Sequence, residues 1–423
     1  MMTRSVDALR QQLVSLCALH GYQVVDTDLV EDAELFLTSA SAALVPKLYT
    51  FERRGKPYVL RPEFTTIAMK RYLTMGRTQP TRWQFFDTVY QLDAAAQLLT
   101  QSYAFGVELI QSDGLEADLE VLELALRVSE LLTTKPLSLV LNHVGFIQAV
   151  LNSFDLDPFL VRLLVSQPEQ ARALVDDRGY TITKETDAGA TETMLNVLLE
   201  STQYSRTMGG RDRAEITDRL LRKYGRSKQA DKIRQAFDVT NSWNDASLVI
   251  GQLSELSRYT HDNPEAAVHL TYLIKLCDAL VTSGVPEHSI SVRLNAAKNW
   301  QYYSGLTFSI DDGASHLING GRYNNLSHMM GASVSVPAVG FTCHVDPFIE
   351  DDKDESPVQV AAEDYAAYRE IARELRRHLI SVVPASANQH SEVVRTNADG
   401  TFTLNDQLFP TMADLVSYIK GRS

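Results

Sequence analysis

An acid and a hydroxyl stand at the start of a predicted helix within residues 58–72, which read YVLRPEFTTIAMKRY. A β-type run at residues 58–60 leads into Pro62, which lacks an N–H group and disfavours helical geometry in the residue before it. The pattern predicts a strand end followed by a new helix, with Glu63 and Thr65 where that helix begins. Such a place can hold an amine or hydroxyl of a small ligand. The structural alternative is that Thr65 caps the helix and the helix dipole favours the acid.

A second acid lies inside an apolar strand. Residues 105–111 read FGVELIQ, with Glu108 in the middle. A carboxyl group in such a strand costs free energy unless it is paired or faces a pocket. Both interpretations stay open from the residues alone.

Apolar periodicity places both acids in an α+β region. The first half of the chain is predicted to contain a hairpin turning at residues 54–56, around strands 49–51 and 58–60. The other predicted elements are helices at 5–20, 32–44, 66–77 and 115–133 and strands at 22–25, 82–92, 105–111 and 137–141.

The middle of the chain, residues 143–290, is predicted to be mainly helical, with a polar loop at 176–190. Within it, residues 206–213 (RTMGGRDR) could cradle an anion through their Gly-Gly pair. No predicted strand precedes them, as a phosphate-binding fingerprint requires, so a surface turn is favoured.

Strands return at 289–294, 301–310, 317–323 and 339–345. The acidic run at 350–355 is a predicted linker to a small α/β appendage. We therefore expect a first domain at 1–349, with a helical insertion at about 150–290, and a C-terminal region at 356–423.

Composition is that of an ordinary globular protein, with 44% hydrophobic and 22% charged residues in 423. A net charge of −13 weakly disfavours a nucleic-acid partner, which needs cations against its phosphates. Three scattered cysteines, Cys17, Cys277 and Cys343, argue against disulfides or a cysteine metal site. No apolar run approaches membrane-spanning length. These features predict a soluble cytoplasmic protein without metal or cofactor.

Several segments occur in the order found in one known family. LRPEFT at residues 60–65, GVELI at 106–110, YYSG at 302–305, GGRYNNL at 320–326 and residues 340–348 resemble motifs of the histidyl-tRNA synthetase family. That family includes a catalytically silent relative, the ATP phosphoribosyltransferase regulatory subunit, whose YYTG signature YYSG resembles more closely. The resemblance implies a class II aminoacyl-tRNA synthetase-like antiparallel sheet flanked by helices.

Carried over by this resemblance, a histidine pocket would use Glu63, Thr65, Glu108, Tyr303 and Tyr323. The acids and the threonine suit the ammonium and imidazole groups, and the tyrosines supply aromatic walls. The structural alternative is that both tyrosines are ordinary buried strand residues.

Four positions depart from the synthetase pattern. Gln91 and Pro347 stand where the resemblance places the two arginines of the second and third motifs, and Lys298 replaces an arginine ahead of the tyrosine pair. Ala104 replaces a glutamine. Uncharged Gln91 and Pro347 cannot bind ATP phosphates electrostatically, at a loss of several kcal/mol of transition-state stabilisation. About seventy residues follow the third motif, which looks short for an anticodon-binding domain.

The resemblance therefore implies a non-catalytic regulatory subunit of ATP phosphoribosyltransferase, in the first step of histidine biosynthesis. Its implied partners are a short-form catalytic subunit and L-histidine as an effector, in a hetero-oligomer that contains a homodimer; no tRNA or membrane is expected. A divergent histidyl-tRNA synthetase and an RNA-binding pseudo-synthetase are the alternatives.

Overall fold

A computed structural model describes most of the chain outside the middle and a few loops. The described residues are 5–37, 44–93, 98–156, 161, 164, 230–244, 247–294, 302–349, 358–361, 365–378, 380–385, 393–397, 399–404 and 407–421. The polar loop and the Gly-Gly segment predicted at 176–190 and 206–213 lie outside them, as does Lys298.

The chain forms two compact units, Met1–Ile349 and Glu350–Ser423. An eight-stranded sheet with the order β1-β5-β6-β11-β10-β9-β7-β8 is the centre of the first unit. Its strands are β1 Gln23–Val24, β5 Thr81–Asp93, β6 Leu98–Ile110, β7 Ser138–His143, β8 Ile290–Val292, β9 Leu306–Asp311, β10 His316–Arg322 and β11 Ala338–His344. The six inner strands pair antiparallel, whereas the edge pairs β1/β5 and β7/β8 are parallel. The class II synthetase-like fold is thus confirmed, with a mixed sheet in place of the purely antiparallel one that we expected.

Helices cover one face of this sheet. The helices of the first unit are α1 Val6–Leu19, α2 Ala33–Leu37, α3 Thr65–Thr74, α4 Leu115–Leu132, α5 Val144–Asn152, α6 Ala230–Asn244, α7 Pro264–Thr282 and α8 Leu326–Met329. Alternate residues of β6, Phe105, Val107 and Leu109, join the core beneath α1, α4, α5 and α7. Full burial of each such side chain contributes about 1.5–3 kcal/mol. Between them, Ala104, Gly106 and Glu108 face the opposite side of the sheet.

That opposite side carries α3 and a three-stranded sheet, β2-β4-β3, formed by Val30–Asp32, Lys56–Leu60 and Thr50–Arg53. Phe64 packs there against Phe85 with ring centroids 5.4 Å apart. Gly106 lies beneath Phe64, where a Cβ atom would meet the Phe64 ring at 3.1 Å. The close approach brings the start of α3 down onto the sheet.

The C-terminal unit is a five-stranded sheet with the order β13-β12-β14-β15-β16. Its elements are β12 Val358–Ala361, α9 Tyr365–Arg377, β13 Val382–Pro384, β14 Val393–Thr396, β15 Phe402–Leu404, β16 Gln407–Phe409 and α10 Met412–Lys420. One apolar cluster, which includes Leu375, Leu404 and Leu415, joins the sheet to both helices. The unit therefore has a core of its own, and it is an α/β unit as predicted.

Several predicted elements differ in their ends. The helix predicted at 32–44 is a strand, Val30–Asp32, followed by the short helix Ala33–Leu37 and, after residues 38–43, a 3-10 turn at Val45–Lys47. The strand predicted at 301–310 begins only at Leu306, because Ser304 turns to bond the chain at Arg322 and Asn324. The strand predicted from residue 105 begins at Leu98, and Gln111 ends it with a φ of +61°.

Candidate functional site

A cavity of about 600 Å³ lies on the sheet face opposite α1 and α4. The strands beneath it alternate small or polar residues with core residues. Gly340, Thr342 and His344 of β11 line the cavity, whereas Val339 and Cys343 are fully buried on the other side. Glu63, Thr65, Tyr303 and Tyr323, four of the five predicted pocket residues, also line it.

Glu63 binds the first turn of α3. Its Oε2 accepts from the backbone N–H of Thr65 at 2.5 Å, and its Oε1 accepts from that of Thr66 at 2.8 Å. These N–H groups have no intrahelical partner at a helix start, so Glu63 supplies one. The structural alternative, in which Thr65 caps the helix, is therefore wrong. Glu63 caps the helix, and the Thr65 hydroxyl bonds elsewhere.

The Thr65 hydroxyl donates to Oε1 of Glu108 at 2.5 Å, and the Tyr323 hydroxyl donates to Oε2 of the same carboxyl group. Glu108 is fully buried and does not itself line the cavity. Glu108 lies behind the residues that line the cavity and accepts hydrogen bonds from two of their hydroxyl groups. The sequence placed Glu108 in the pocket as a second anion, and the geometry gives it this indirect position.

Two glycines make room for these side chains. A Cβ atom at Gly340 would overlap a carboxyl oxygen of Glu108. A Cβ atom at Gly321 would come within 2.8 Å of the Tyr303 ring. The glycines thus allow an acid and an aromatic ring to lie flat against neighbouring strands.

Three tyrosines form an aromatic wall. The ring of Tyr302 lies 5.0 Å from that of Tyr303 and 5.7 Å from that of Tyr323, centroid to centroid. Tyr302 was not among the predicted pocket residues, although it lines the cavity and is almost completely buried. The adjacent pair of aromatic residues was the signal that could have identified it.

Burial dominates the electrostatics of the two acids. It raises the pKa of Glu108 to about 8, against the lowering effect of the Thr65 and Tyr323 hydroxyls. It also raises the pKa of Glu63, against the lowering effect of its bonds to Thr66 and Thr65. No lysine, arginine or histidine in the described part of the chain forms an ion pair with either acid. The inner end of the cavity is therefore suited to a ligand that brings its own positive charge.

The arginines of the two signature segments do not line the cavity. Arg61 is buried and donates to Thr88 O at 2.9 and 2.7 Å, to both oxygens of Thr27, and pairs with Asp87 at 2.9 Å. These bonds fix the strand end directly before Pro62 and Glu63. Arg61 is therefore an anchor for the wall rather than a ligand-binding group.

Arg322 fixes the opposite wall of the cavity, which contains Tyr323. Its guanidinium group pairs with Asp118 of α4, with Nη2 2.6 Å from Oδ1, and also donates to Ser112 O. Tyr272 of α7 donates its hydroxyl to the second oxygen of Asp118. The pair thus holds β10, and with it Tyr323, against α4 and α7.

The positions that depart from the synthetase pattern lie in different places. Gln91 lines the cavity, Ala104 is fully buried on β6, and Pro347 is an exposed residue of the 3-10 helix Asp346–Phe348. None of these three carries a charge. Arg293 is the one arginine or lysine among the described residues that line the cavity.

The outer end of the cavity has a different character from the inner end. It is lined by Arg293, Asp311, His316 and His344, and the His316 ring bonds Asp311 at 2.5 Å. Sequence reasoning missed all four residues. For Asp311, His316 and His344 the available signal was their place next to core residues on β9, β10 and β11, whereas Arg293 directly follows β8. Nowhere in the described ranges do three or more histidine, cysteine or acidic side chains stand together so as to hold a metal ion.

Comparison with known proteins identifies the family. The family model described as histidyl-tRNA synthetase matches residues 1–261 and 200–348. The chain belongs to this family. Its cavity walls are built from the segments that carry the sequence resemblance, so the match and the geometry refer to the same part of the molecule.

Relatives within the family have two different names. A histidine–tRNA ligase of Sulfurisphaera tokodaii is 24% identical over 353 residues, which cover 81% of this chain and 70% of the relative. An ATP phosphoribosyltransferase regulatory subunit of Rhizobium rhizogenes is 26% identical over 351 residues, covering 76% of this chain and 91% of the relative. Sequence identity alone does not separate the two.

A solved structure from Bacillus halodurans C, described as an ATP phosphoribosyltransferase regulatory subunit/histidyl-tRNA synthetase, matches the fold with a TM-score of 0.63. It is 19% identical and covers 91% of this chain and 90% of that chain. This likeness supports the fold alone. No helix in the described ranges is long and apolar enough to cross a membrane.

Proposed function

We propose that this member of the histidyl-tRNA synthetase family is a non-catalytic regulatory subunit of ATP phosphoribosyltransferase. In this proposal it activates a short-form catalytic subunit and lowers that activity when its cavity holds L-histidine. It contributes no catalytic group and uses no cofactor. It forms a homodimer within a hetero-oligomer and binds no tRNA.

The observation that carries the proposal is a contrast. The cavity has a wall suited to a free amino acid, but the arginines that would bind ATP phosphates are missing. Glu63, Thr65 and the tyrosines form a wall suited to a free amino acid. The groups that adenylate formation requires, arginines on the ATP phosphates, are replaced by Gln91 and Pro347. Arg61 and Arg322 cannot substitute, because each is bonded to other protein groups and neither lines the cavity. Transfer chemistry on ATP depends on such charges, whereas binding of histidine does not.

A named regulatory subunit matches over nearly its whole length, although its match covers less of this chain than that of the ligase does, 76% against 81%. The match with the Rhizobium rhizogenes protein spans 91% of that protein, against 70% of the Sulfurisphaera tokodaii ligase. A protein that selects an amino acid without activating it is already suited to sense that amino acid. A ligand that binds one quaternary state more tightly shifts the equilibrium towards that state.

Reconstitution tests the proposal. A purified short-form catalytic chain is assayed for phosphoribosyl transfer to ATP with and without this protein, across a series of histidine concentrations. We expect activity to need this protein and to fall as histidine rises. Catalytic activity that is indifferent to this protein would remove the assignment.

A divergent histidyl-tRNA synthetase is the second candidate, and two observations favour it. Most of the relatives with high similarity are named histidine–tRNA ligase, and Arg293 offers one cation to the cavity. Histidine-dependent exchange of pyrophosphate into ATP separates the candidates. Robust exchange that the variant Arg293→Met abolishes would establish the enzyme.

An RNA-binding pseudo-synthetase is a third candidate, since the C-terminal unit is a complete five-stranded domain rather than the shortened one that we expected. Its charge argues against the candidate. Residues 350–423 contain thirteen acidic and eight basic residues, and phosphate neutralisation needs the reverse. Filter binding with tRNA at several salt concentrations checks this point, and we expect no salt-dependent binding.

A further inference from the structure

The Glu108 carboxyl group controls two hydroxyls that face the cavity. Thr65 and Tyr323 both line the cavity, and each bonds a different oxygen of Glu108 behind the wall. A hydroxyl has a single hydrogen. If that hydrogen points back to Glu108, the hydroxyl presents only lone pairs to a ligand. If the hydroxyl instead accepts a hydrogen bond from protonated Glu108, its own hydrogen is free to point into the cavity.

Glu108 therefore has two states with opposite consequences for the wall. Ionised Glu108 accepts from both hydroxyls, so both present acceptors to the cavity. Protonated Glu108 donates its single O–H to one of them, and that hydroxyl then presents a donor. Gain or loss of one proton by Glu108 therefore changes one of the two hydroxyls between a donor and an acceptor towards the cavity.

The surroundings of Glu108 favour the protonated state in the empty cavity. The groups that face it are the Thr65 hydroxyl from α3, the Tyr323 hydroxyl after β10, Gly340 of β11, and the carboxyl group of Glu63, whose charge further raises the pKa of Glu108. Tyr302, which hydrogen-bonds with the Thr65 hydroxyl, and Tyr303 both stay neutral, because burial also raises their pKa values. None of the described cationic side chains pairs with Glu108.

Glu63 differs from Glu108 in its partners. It accepts two backbone N–H groups at the positive end of α3, and these stabilise its charged form. The two buried acids can therefore divide their roles, with the charge on Glu63 and the proton on Glu108.

We propose that Glu108 sets the direction of the hydrogen bonds that Thr65 and Tyr323 offer, and that binding of a ligand with N–H donors releases the proton that Glu108 holds in the empty cavity. The O–H bond of the carboxyl group breaks, the proton passes to solvent, and the hydroxyl that had accepted from Glu108 turns its hydrogen to the carboxylate, as the other hydroxyl already does. Their lone pairs then accept from the ammonium or imidazole N–H groups of the ligand. The proposal rests on the proposed function, since histidine is the ligand with such groups.

Calorimetric titration with L-histidine in phosphate and in Tris buffer counts the protons released, because the two buffers have very different ionisation enthalpies. With a pKa of about 8 for Glu108, about 0.9 protons should leave per histidine bound at pH 7, and about a quarter of a proton at pH 8.5. Titration of histidine into each buffer without protein supplies the heat of dilution, which is subtracted.

The variant Glu108→Gln is the matched comparison, because its amide keeps the shape but has no proton to lose in this range. We expect it to release none and to bind histidine at least tenfold more weakly. Equal proton release by both proteins would overturn the inference and leave the histidine site in place. Absence of histidine binding by the wild-type chain would overturn the proposed function and the inference together. If the variant does not fold, the fall in release between pH 7 and pH 8.5 in the wild-type chain decides: a constant value overturns the inference.

Discussion

The guanidinium group of Arg322 donates hydrogen bonds to the carboxyl group of Asp118, 204 residues earlier in the chain. Nε lies 2.9 Å and Nη2 2.6 Å from the same oxygen, Oδ1. Both side chains are buried. Because Tyr323 follows Arg322 directly, this ion pair locates one wall of the cavity relative to α4. The cavity therefore depends on a contact that does not touch it.

Loss of the Arg322 cation should be costly. Arg322→Met leaves Asp118 buried without its partner, and breaking a buried pair in this way costs about 3–5 kcal/mol of the free energy of unfolding. Urea unfolding followed by circular dichroism measures the loss. Arg127→Met is the control, because Arg127 and Glu130 form an exposed pair on α4 with 65% and 55% of their side chains accessible. That change should cost about 1 kcal/mol or less, and similar losses in the two variants would contradict the expectation.

Glu108 should make stability depend on pH. Its pKa in the folded chain is raised to about 8, whereas an unfolded glutamate titrates near its ordinary value of about 4.3. The folded state thus binds the extra proton between these values, so the contribution of Glu108 to stability is full below pH 4.3 and is lost as the pH rises through 8. The slope is up to about 1.4 kcal/mol per pH unit.

Urea unfolding of the wild-type chain and of Glu108→Gln at pH 5, 6, 7 and 8 checks this expectation. The advantage of the wild-type chain over the variant should decline across the series, since the amide does not titrate. A difference between the two that is constant with pH would show that Glu108 is not protonated in the folded chain.

Gly340 should not tolerate a side chain. In Gly340→Ala the new methyl group overlaps the Glu108 carboxyl group, which the Thr65 and Tyr323 hydroxyls hold in place. Overpacking of this kind costs about 1–3 kcal/mol, visible as a lower midpoint of urea unfolding. Gly251→Ala is the control, because a Cβ atom there meets nothing within 4 Å. The prediction fails if both variants unfold at the same urea concentration.

Glu63 should matter for binding as well as for folding, because the amide of Glu63→Gln leaves one of the two N–H groups that Glu63 binds without an acceptor. In Glu63→Gln the amide oxygen still accepts an N–H group of α3, but the negative charge is gone. A hydrogen bond to a charged group contributes about 1.5–3 kcal/mol, so histidine affinity should fall about 10- to 100-fold in calorimetry. Glu130→Gln, on the exposed side of α4, serves as the control. Unchanged affinity in Glu63→Gln would place the histidine site elsewhere.

The sequence predicted the elements of the site better than the partners within it. Periodicity located β5, β6 and α4, since each is long and has one strongly apolar face. It could not show that Arg322 reaches Asp118, because no local pattern encodes a contact between elements so far apart. For the same reason the position of Glu108 behind Thr65, rather than in the open cavity, became visible only in three dimensions.

Helix capping shows a similar limit. Thr65 has the residue type of a good cap, yet its hydroxyl is taken by Glu108 and Glu63 caps in its place. Local propensity was overridden by a tertiary hydrogen bond. Tyr302 was missed for a different reason. The sequence alone does not distinguish a buried aromatic ring beside a cavity from one in a core.

The edge strand β8 and its neighbour β7 pair in parallel, with Leu139 opposite Ile290 and Leu141 opposite Val292, and residues 144–289 lie between these two strands in the chain. The chain leaves the sheet after β7 and re-enters it as the border strand β8. The strands β6, β11, β10 and β9 therefore all lie on the same side of this pair. Segments of different size could therefore be exchanged between β7 and β8 without altering the register of β6, β11 and β10, provided that α7 still places Tyr272 on Asp118. This segment can therefore change in length while the cavity keeps its walls.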